Sequence, residues 1–433
     1  MLMTGAELRK VFELASPFTP EGELKPESER VTILAANANY PFELQSRAFA
    51  MASAAGEGSP IMVQLSHNSA ETAAGDPSKI PPLPGVSHYS NDTNVVIGAK
   101  MAADQISLYA EQYNTPLLAV SLDHFKVPAF APSKFSPMSR HDKGIGKRVT
   151  EARIWHAVEH MYPMFGSEVS LTDENIKLYS HYLTSEEYIR FKRDFVRIVE
   201  NVRPAWGMID TEHLPPVLDF VVTRDIIDTV RQVLGNHDIM IEAEFGATGV
   251  SGQALDYQKL TGEDLQLFAD KVACFIKYTG ADAIAYPIGM EHAAKKSVRH
   301  EPDIERLEVV QSTLFKTVGR YIPFAQHGGS GAAKVARGLV GKNNVNTHFL
   351  VAGATAIGEY SVQNIEGMRA GDKKYCGTTI FTIYLTAVAE AALFKLEEAG
   401  SKNFGEAIKK NLGMAKRVLT ASTGGKKAGV YDE

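Results

Sequence analysis

Cysteine is scarce: Cys274 and Cys376 are the two in 433 residues, too few for a disulfide framework. Runs of five or more Lys or Arg are missing, and 45 Lys+Arg against 51 Asp+Glu leave a net charge of -6. That balance argues against nucleic acid or an anionic membrane surface as a partner, while phosphorylated metabolites stay open because local loops bind them. The longest apolar stretch, Thr378 to Phe394, contains Glu390 and falls short of the roughly 20 residues a bilayer needs, so a packed helix is expected there. The opening MLMTGAELRKVFELA lacks the basic, apolar, then small order of a signal peptide, and the chain reads as cytoplasmic. What is present is an ordinary globular composition, 44% hydrophobic.

Eight short β-rich runs recur along the chain: 31–39, 59–66, 116–124, 205–210, 238–246, 282–289, 322–328 and 345–353. Most are apolar without strict alternation, as parallel strands covered on both faces should be. Helical spacing fills 41–56, 94–114, 222–235, 262–280, 304–319, 330–341 and 378–400 between them. Strand alternating with helix in this way predicts an α/β chain folded as a single (β/α)8 TIM barrel over 1–433. A doubly wound open sheet is the competing architecture. The connection 131–203 is much longer than a usual βα link and carries its own helical patterns, so it reads as a helical insertion between strands 3 and 4. The Pro-, Gly- and Ser-rich segment from Glu71 to Asp92 reads as a long loop.

Each run ends in polar side chains that are odd for a packed core: Asn37 and Asn39, Ser66, Asp123 and His124, Asp210, Glu244, His292, His327 and Asn346. In a barrel all these ends open on the C-terminal face, where such folds place their chemistry. His124, His292 and His327 stand at or just beyond strand ends, and three imidazoles would hold Zn²⁺ with one position left for a substrate oxygen. The bland alternative is that the rings line a polar cavity. Glu242 and Glu244 alternate on one strand and share a face. With Asp210, Glu244 could form a second, oxygen-rich metal position or orient the histidines, or the group could be a buried structural network. The HGGSG turn (Gly328, Gly329, Ser330) before an expected helix near Ser330 suits an anion, with Asn344, Asn346 and Thr347 as further donors. His156 and His160 lie four apart on one helix face but lack the HExxH arrangement, so a surface pair is expected.

HGGSG, KNNVNT, SLDH and IEAEFG together resemble the class II, metal-dependent fructose-bisphosphate aldolases, in the order of the motifs along the sequence as well, with TGAELRKVFELA, MVQLS, WGMID and GDKKYCG in support. The resemblance covers most of the chain outside 131–203 and the C-terminal end. It implies a catalytic zinc held by His124, His292 and His327, with Asp123 handling the aldehyde oxygen. Glu244 and Asp210 match positions near the metal or at a buried alternative site for a second divalent ion. Gly329, Ser330, Asn344, Asn346 and Thr347 match the pocket for the ketone's phosphate, where the family also uses a monovalent cation. Asn37 and Ser66 are further substrate-binding candidates. The implied reaction is reversible cleavage of a phosphorylated ketose, fructose 1,6-bisphosphate first among them, to dihydroxyacetone phosphate and an aldehyde through a metal-stabilised enediolate. The strand run DAIAYPIG has no Lys for a covalent mechanism. Family members are often dimers, so a homodimer or higher homo-oligomer is the implied assembly.

The departures fall at the distal end of the substrate. No glutamate stands between Glu244 and Glu263, where the family's mobile loop carries one, leaving Asp256 or Tyr257 as substitutes. Ala293 replaces a glycine, and the basic group for a second phosphate is not obvious, with Lys295, Lys296 or the 152–166 helix as sources. Tagatose bisphosphate, a ketose monophosphate or a sulfonated sugar phosphate would keep the matched half of the chemistry. A catalytically silent sugar-phosphate-binding homologue and a metal-dependent hydrolase are the competing functions; the hydrolase usually shows an HxH pair at strand one, which VTILAANAN lacks.

Overall fold

The computed structural model describes residues 2–38, 50–56, 58–74, 94–136, 145–246, 257–290 and 300–412. Its centre is a parallel sheet of β1 (Ile33–Asn37), β2 (Ile61–Ser66), β3 (Leu118–Asp123), β4 (Phe125–Lys126), β5 (Trp206–Asp210), β6 (Met240–Glu244), β7 (Ala283–Ala285), β8 (Ala325–Gln326) and β9 (Lys342–Val345). The hydrogen-bonded order runs β7, β6, β5, β3, β2, β1, β9, β8, and β4 pairs with β5. A bridge from Ile284 to Phe324 joins β7 to β8 and closes the ring. β3 and β4 form one stave, interrupted at His124, so the nine strands make the eight staves of a (β/α)8 barrel.

The lumen is layered. At the bottom, Ile33, Ala35, Met62, Ala119, Trp206, Met240, Ala283 and Ala325 pack with Leu8, Val11 and Phe12 of α1 (Gly5–Leu14). That helix starts on a capping box, Thr4 Oγ1 accepting from the Glu7 amide at 3.2 Å and Glu7 Oε2 accepting from the Thr4 amide at 2.9 Å. Arg9 on α1 and Arg231 both reach Asp282 at the foot of β7, each at 2.5 Å. The apolar plug closes the N-terminal end of the barrel. Above it inward positions turn polar, with Gln64, Ser121, Glu242 and Lys342 all buried.

The outer wall is α2 (His67–Ala73), α3 (Asn94–Gln112), α4 (Ile145–Phe165), α5 (Asp173–Leu183), α6 (Glu186–Val202), α7 (Pro216–Asp228), α8 (Gly262–Thr279), α9 (Ile304–Val318), α10 (Thr347–Arg369), α11 (Thr378–Glu398) and α12 (Gly405–Leu412). Three of these, α4 to α6, occupy the long connection before β5. α6 buries Tyr188, Phe191, Phe195, Ile198 and Val199, spaced as one helical face, and packs beside α3. α4 lies across α7 and α8 instead. Asp225 on α7 ties the group together, accepting from Tyr188 Oη at 2.7 Å, Lys192 Nζ at 2.8 Å and Arg153 Nη1 at 2.5 Å.

Four expectations need correction. The last strand is Lys342–Val345, and the HFLVAG part of 345–353 is the start of α10. Its β-branched and aromatic residues read as strand, but Asn346 ends the ladder and the helix follows directly. Residues 331–341 form turns and isolated bridges rather than a helix, since Gly338 sits at φ 73° and the segment folds back on Arg30 and Thr32. The apolar C-terminal stretch runs on into a helix of 21 residues, α11, long and apolar enough by length and composition to cross a membrane; a third of its most apolar window is buried, and it packs along α10. The expected loop 71–92 is helical to Ala73, and 75–93 lies outside the described residues.

Candidate active site

Asp123 is the last residue of β3, and His124 follows in a left-handed conformation at φ 46° before the chain resumes as β4. A histidine there is uncommon, and the break turns its ring over the barrel mouth. The ring is held from behind: Nδ1 lies 3.0 Å from Asp210 Oδ2 at the end of β5. His327 follows β8, and its Nε2 lies 3.0 Å from Glu242 Oε1 inside the lumen. The remaining nitrogens, His124 Nε2 and His327 Nδ1, face each other at 2.8 Å. Asp123 completes the cluster, one ligand atom from each of the three residues lying within 4.8 Å of the others.

The Asp123 carboxylate is 3% exposed and held on both sides, accepting from Asn37 Nδ2 at 2.7 Å and Asn344 Nδ2 at 3.1 Å. Asn37 is aligned in turn by Gln64 Nε2 at 2.8 Å, and Gln64 by the Ser121 hydroxyl at 3.3 Å. Burial works to raise the Asp123 pKa, but His124, Lys342, His327 and the Asn37 bond outweigh it, so the group stays anionic. Burial opposes a charge on His124 as well, yet Asp123, Asp210 and Glu242 push its pKa up to about 9. Glu242 is fully buried; Lys342 and His327 overcome the desolvation and hold it down to about 2. Asp210 is lowered too, against burial, by His124, Lys126 and a hydrogen bond shared with Glu244.

The donor set fits a divalent ion. Two imidazole nitrogens converge on one point, and the far nitrogen of each ring rests on a carboxylate, the arrangement that fixes tautomer and ring direction around bound metals. The orienting carboxylates are Asp210 for His124 and Glu242 for His327, so Glu242 does what Glu244 had been a candidate for. The pairing was legible only as a strand alternation, because which of two like carboxylates meets a ring depends on stave register. His292, Asn39, Asp256, Ala293, Lys295 and Lys296 lie outside the described residues. Tyr257 donates to Asp303 Oδ2 at 2.5 Å, and burial followed by that bond raises its pKa.

Around the anion candidates the order is specific. Gly328 turns at φ 73°, the Gly329 amide donates to the Asn344 carbonyl at 3.0 Å, and a Cβ on Gly329 would land on the Asn343 side chain. Ser330 Oγ accepts from the amides of Asn346 at 3.0 Å and His348 at 3.3 Å, leaving its own hydrogen to donate. The helix N-terminus beside this turn is that of α10 at Thr347, after the last strand, rather than one near Ser330. Ser66 is taken up as the N-cap of α2, accepting from the Ser69 amide at 3.1 Å. His156 and His160 dock α4 onto α8, at 3.4 Å from Tyr278 Oη and 3.3 Å from the Cys274 carbonyl.

Residues 207–404 match the family model of fructose-bisphosphate aldolase class-II. That segment runs from β5 into the C-terminal helices and holds Asp210, Glu242, His327 and Lys342. No curated protein sequence matches the chain. Among solved structures, a fructose-bisphosphate aldolase from Campylobacter jejuni superposes at a TM-score of 0.56 with 18% identity, covering 93% of this chain and 96% of its own. A provisionally assigned fructose-1,6-biphosphate aldolase from Coccidioides immitis superposes at 0.45 with 14% identity, covering 93% and 98%. At such identities the likeness concerns the barrel alone, and the family rests on the sequence match. Over residues 207–404, a little under half of the chain, the sequence is thus similar to the class II fructose-bisphosphate aldolases, a family of carbon–carbon lyases.

Proposed function

We propose that this chain is a zinc-dependent aldolase that reversibly cleaves a phosphorylated ketose, fructose 1,6-bisphosphate, to dihydroxyacetone phosphate and an aldehyde. The observation that carries the reading is the convergence of His124 Nε2 and His327 Nδ1, 2.8 Å apart, beside an anionic Asp123. His124, His327 and His292 would hold the ion, with Asp210 and Glu244 as a neighbouring carboxylate pair open to a second divalent ion. When bound, the ion supplies Lewis-acid polarisation of the ketone oxygen.

The chain's own residues do the rest. In the cleavage direction Asp123 accepts the proton of the hydroxyl that becomes the aldehyde, and in condensation it returns that proton to the aldehyde oxygen. Asn37 and Asn344 keep its two oxygens in place for both steps. Such a positioned acid–base contributes roughly 10²–10⁴-fold. The Gly328–Gly329–Ser330 turn, Asn346 and Thr347 at the start of α10 would take the ketone's phosphate through backbone amides, the Ser330 hydroxyl and the helix dipole, with a monovalent cation as a further aid. The same reading makes the chain a single cytoplasmic barrel domain working as a homo-oligomer in carbohydrate breakdown.

The test is cleavage of fructose 1,6-bisphosphate by zinc-loaded protein, with triose phosphate detected by a coupled reductase. Turnover that disappears with a chelator and returns with zinc is expected. Fully zinc-loaded protein that releases no triose phosphate overturns the reading.

A further inference from the structure

One group in the barrel has no part in the chemistry above. Lys342, the first residue of β9, is fully buried in the lumen one layer below His327. Its ammonium lies 2.8 Å from Glu242 Oε2 and 4.9 Å from the centre of the Trp206 ring. Trp206 Nε1 donates to the same oxygen at 2.7 Å. Two donors therefore occupy Oε2, and the other oxygen, Oε1, is left to the Nε2 side of His327 at 3.0 Å. The carboxylate cannot turn about its axis without breaking one of these contacts.

We infer that Lys342 is a positioning residue: through Glu242 it sets the direction of the His327 ring and so the convergence of His327 on His124. A lysine at a barrel's centre costs desolvation, and a buried pair replaced by apolar groups of similar volume is often neutral or stabilising. Mere stability is a poor reason for it to be there. A fixed anchor for a metal-orienting carboxylate is a better one, since such outer partners typically contribute ten- to a hundredfold in metal affinity. The inference rests on the metal site proposed above.

The experiment is a cobalt titration of metal-free protein, read by the visible absorption of Co²⁺, for wild type, Lys342→Met and the doubly neutral Lys342→Met/Glu242→Gln. Thermal unfolding of each is followed in parallel. Lys342→Met strands the Glu242 charge and can fail to fold; the double variant removes both charges and keeps the volume. The expected result is a double variant that unfolds near the wild-type temperature yet binds Co²⁺ about ten- to a hundredfold more weakly, with an altered spectrum. A folded double variant with wild-type affinity and spectrum overturns the positioning role and leaves the pair a packing feature. Wild-type protein that binds no Co²⁺ removes the metal site itself, a failure seen before any variant is made.

Discussion

His124 Nε2 and His327 Nδ1 stand 2.8 Å apart, although 203 residues separate the two rings in the chain. Each ring is backed by its own carboxylate, Asp210 at 3.0 Å and Glu242 at 3.0 Å. Two staves four places apart in sequence order thus deliver two nitrogens to one point, each ring held by its own carboxylate. A pair of histidines that only filled a polar cavity would not need both far nitrogens anchored.

On the proposed mechanism Asp123 moves a proton and does not hold the metal. Replacing it with Asn keeps a side chain between Asn37 and Asn344 but removes the group that carries the proton. Asp123→Asn is expected to retain its zinc while kcat falls roughly 10²–10⁴-fold. Metal analysis beside steady-state kinetics checks this; loss of zinc together with activity would instead make Asp123 a ligand.

The pH dependence of metal uptake follows from His124. With its pKa raised to about 9, the ring carries a proton at neutral pH that must leave when an ion binds. Below about 9, affinity should therefore rise close to tenfold per pH unit and then level off. Isothermal titrations in buffers of different ionisation heat also count the proton released. A flat affinity between pH 7 and 9 contradicts the assignment.

Lys342 bears on the choice between metal and covalent chemistry. It is a lysine inside the barrel, but its ammonium is sealed against Glu242 and Trp206 with no exposed surface. Borohydride added with substrate should trap no adduct and leave activity intact, whereas a chelator should abolish it. Reductive inactivation with a mass increase on Lys342 would point to a Schiff base.

Asp219 offers a stability test far from turnover. Burial, only partly offset by the Thr211 and Thr223 hydroxyls, raises its pKa from 3.8 to about 8. The folded chain thus holds this proton more tightly than the unfolded one. The resulting stabilisation is complete below about pH 4 and is lost as pH rises through about 8. Asp219→Asn, neutral throughout, should match wild type near pH 4 and melt several degrees higher near pH 9, a difference on the order of a few kcal/mol. Identical melting profiles across that range would show that Asp219 is not protonated in the fold.

The strand ends were the legible part of this molecule. Asn37, Asp123, Asp210, Glu244, His327 and Asn346 all fall where alternating strands and helices place them, because a parallel barrel puts every C-terminal end on one face. What periodicity could not reveal is lateral register. Met208↔Glu242 and Ala325↔Lys342 are neighbours across staves, and only such pairings decide that Glu242 and Lys342 meet beneath His327, with the Trp206 indole reaching Glu242 from the layer below. The turn 331–341 misled because its small and apolar residues carry helical spacing while Gly338 requires a left-handed backbone. HFLVAG misled in the other direction, a helix written in strand-like residues whose class is decided by packing against α11.

The most direct test is the zinc content of the purified protein, wild type against His124→Ala and His327→Ala, after equilibration with a slight excess of zinc and removal of loosely bound metal. Close to one tightly held equivalent in the wild type, and loss of it in both folded variants, is the predicted result. A wild-type chain that retains no zinc, or variants that retain as much as the wild type, would contradict the account.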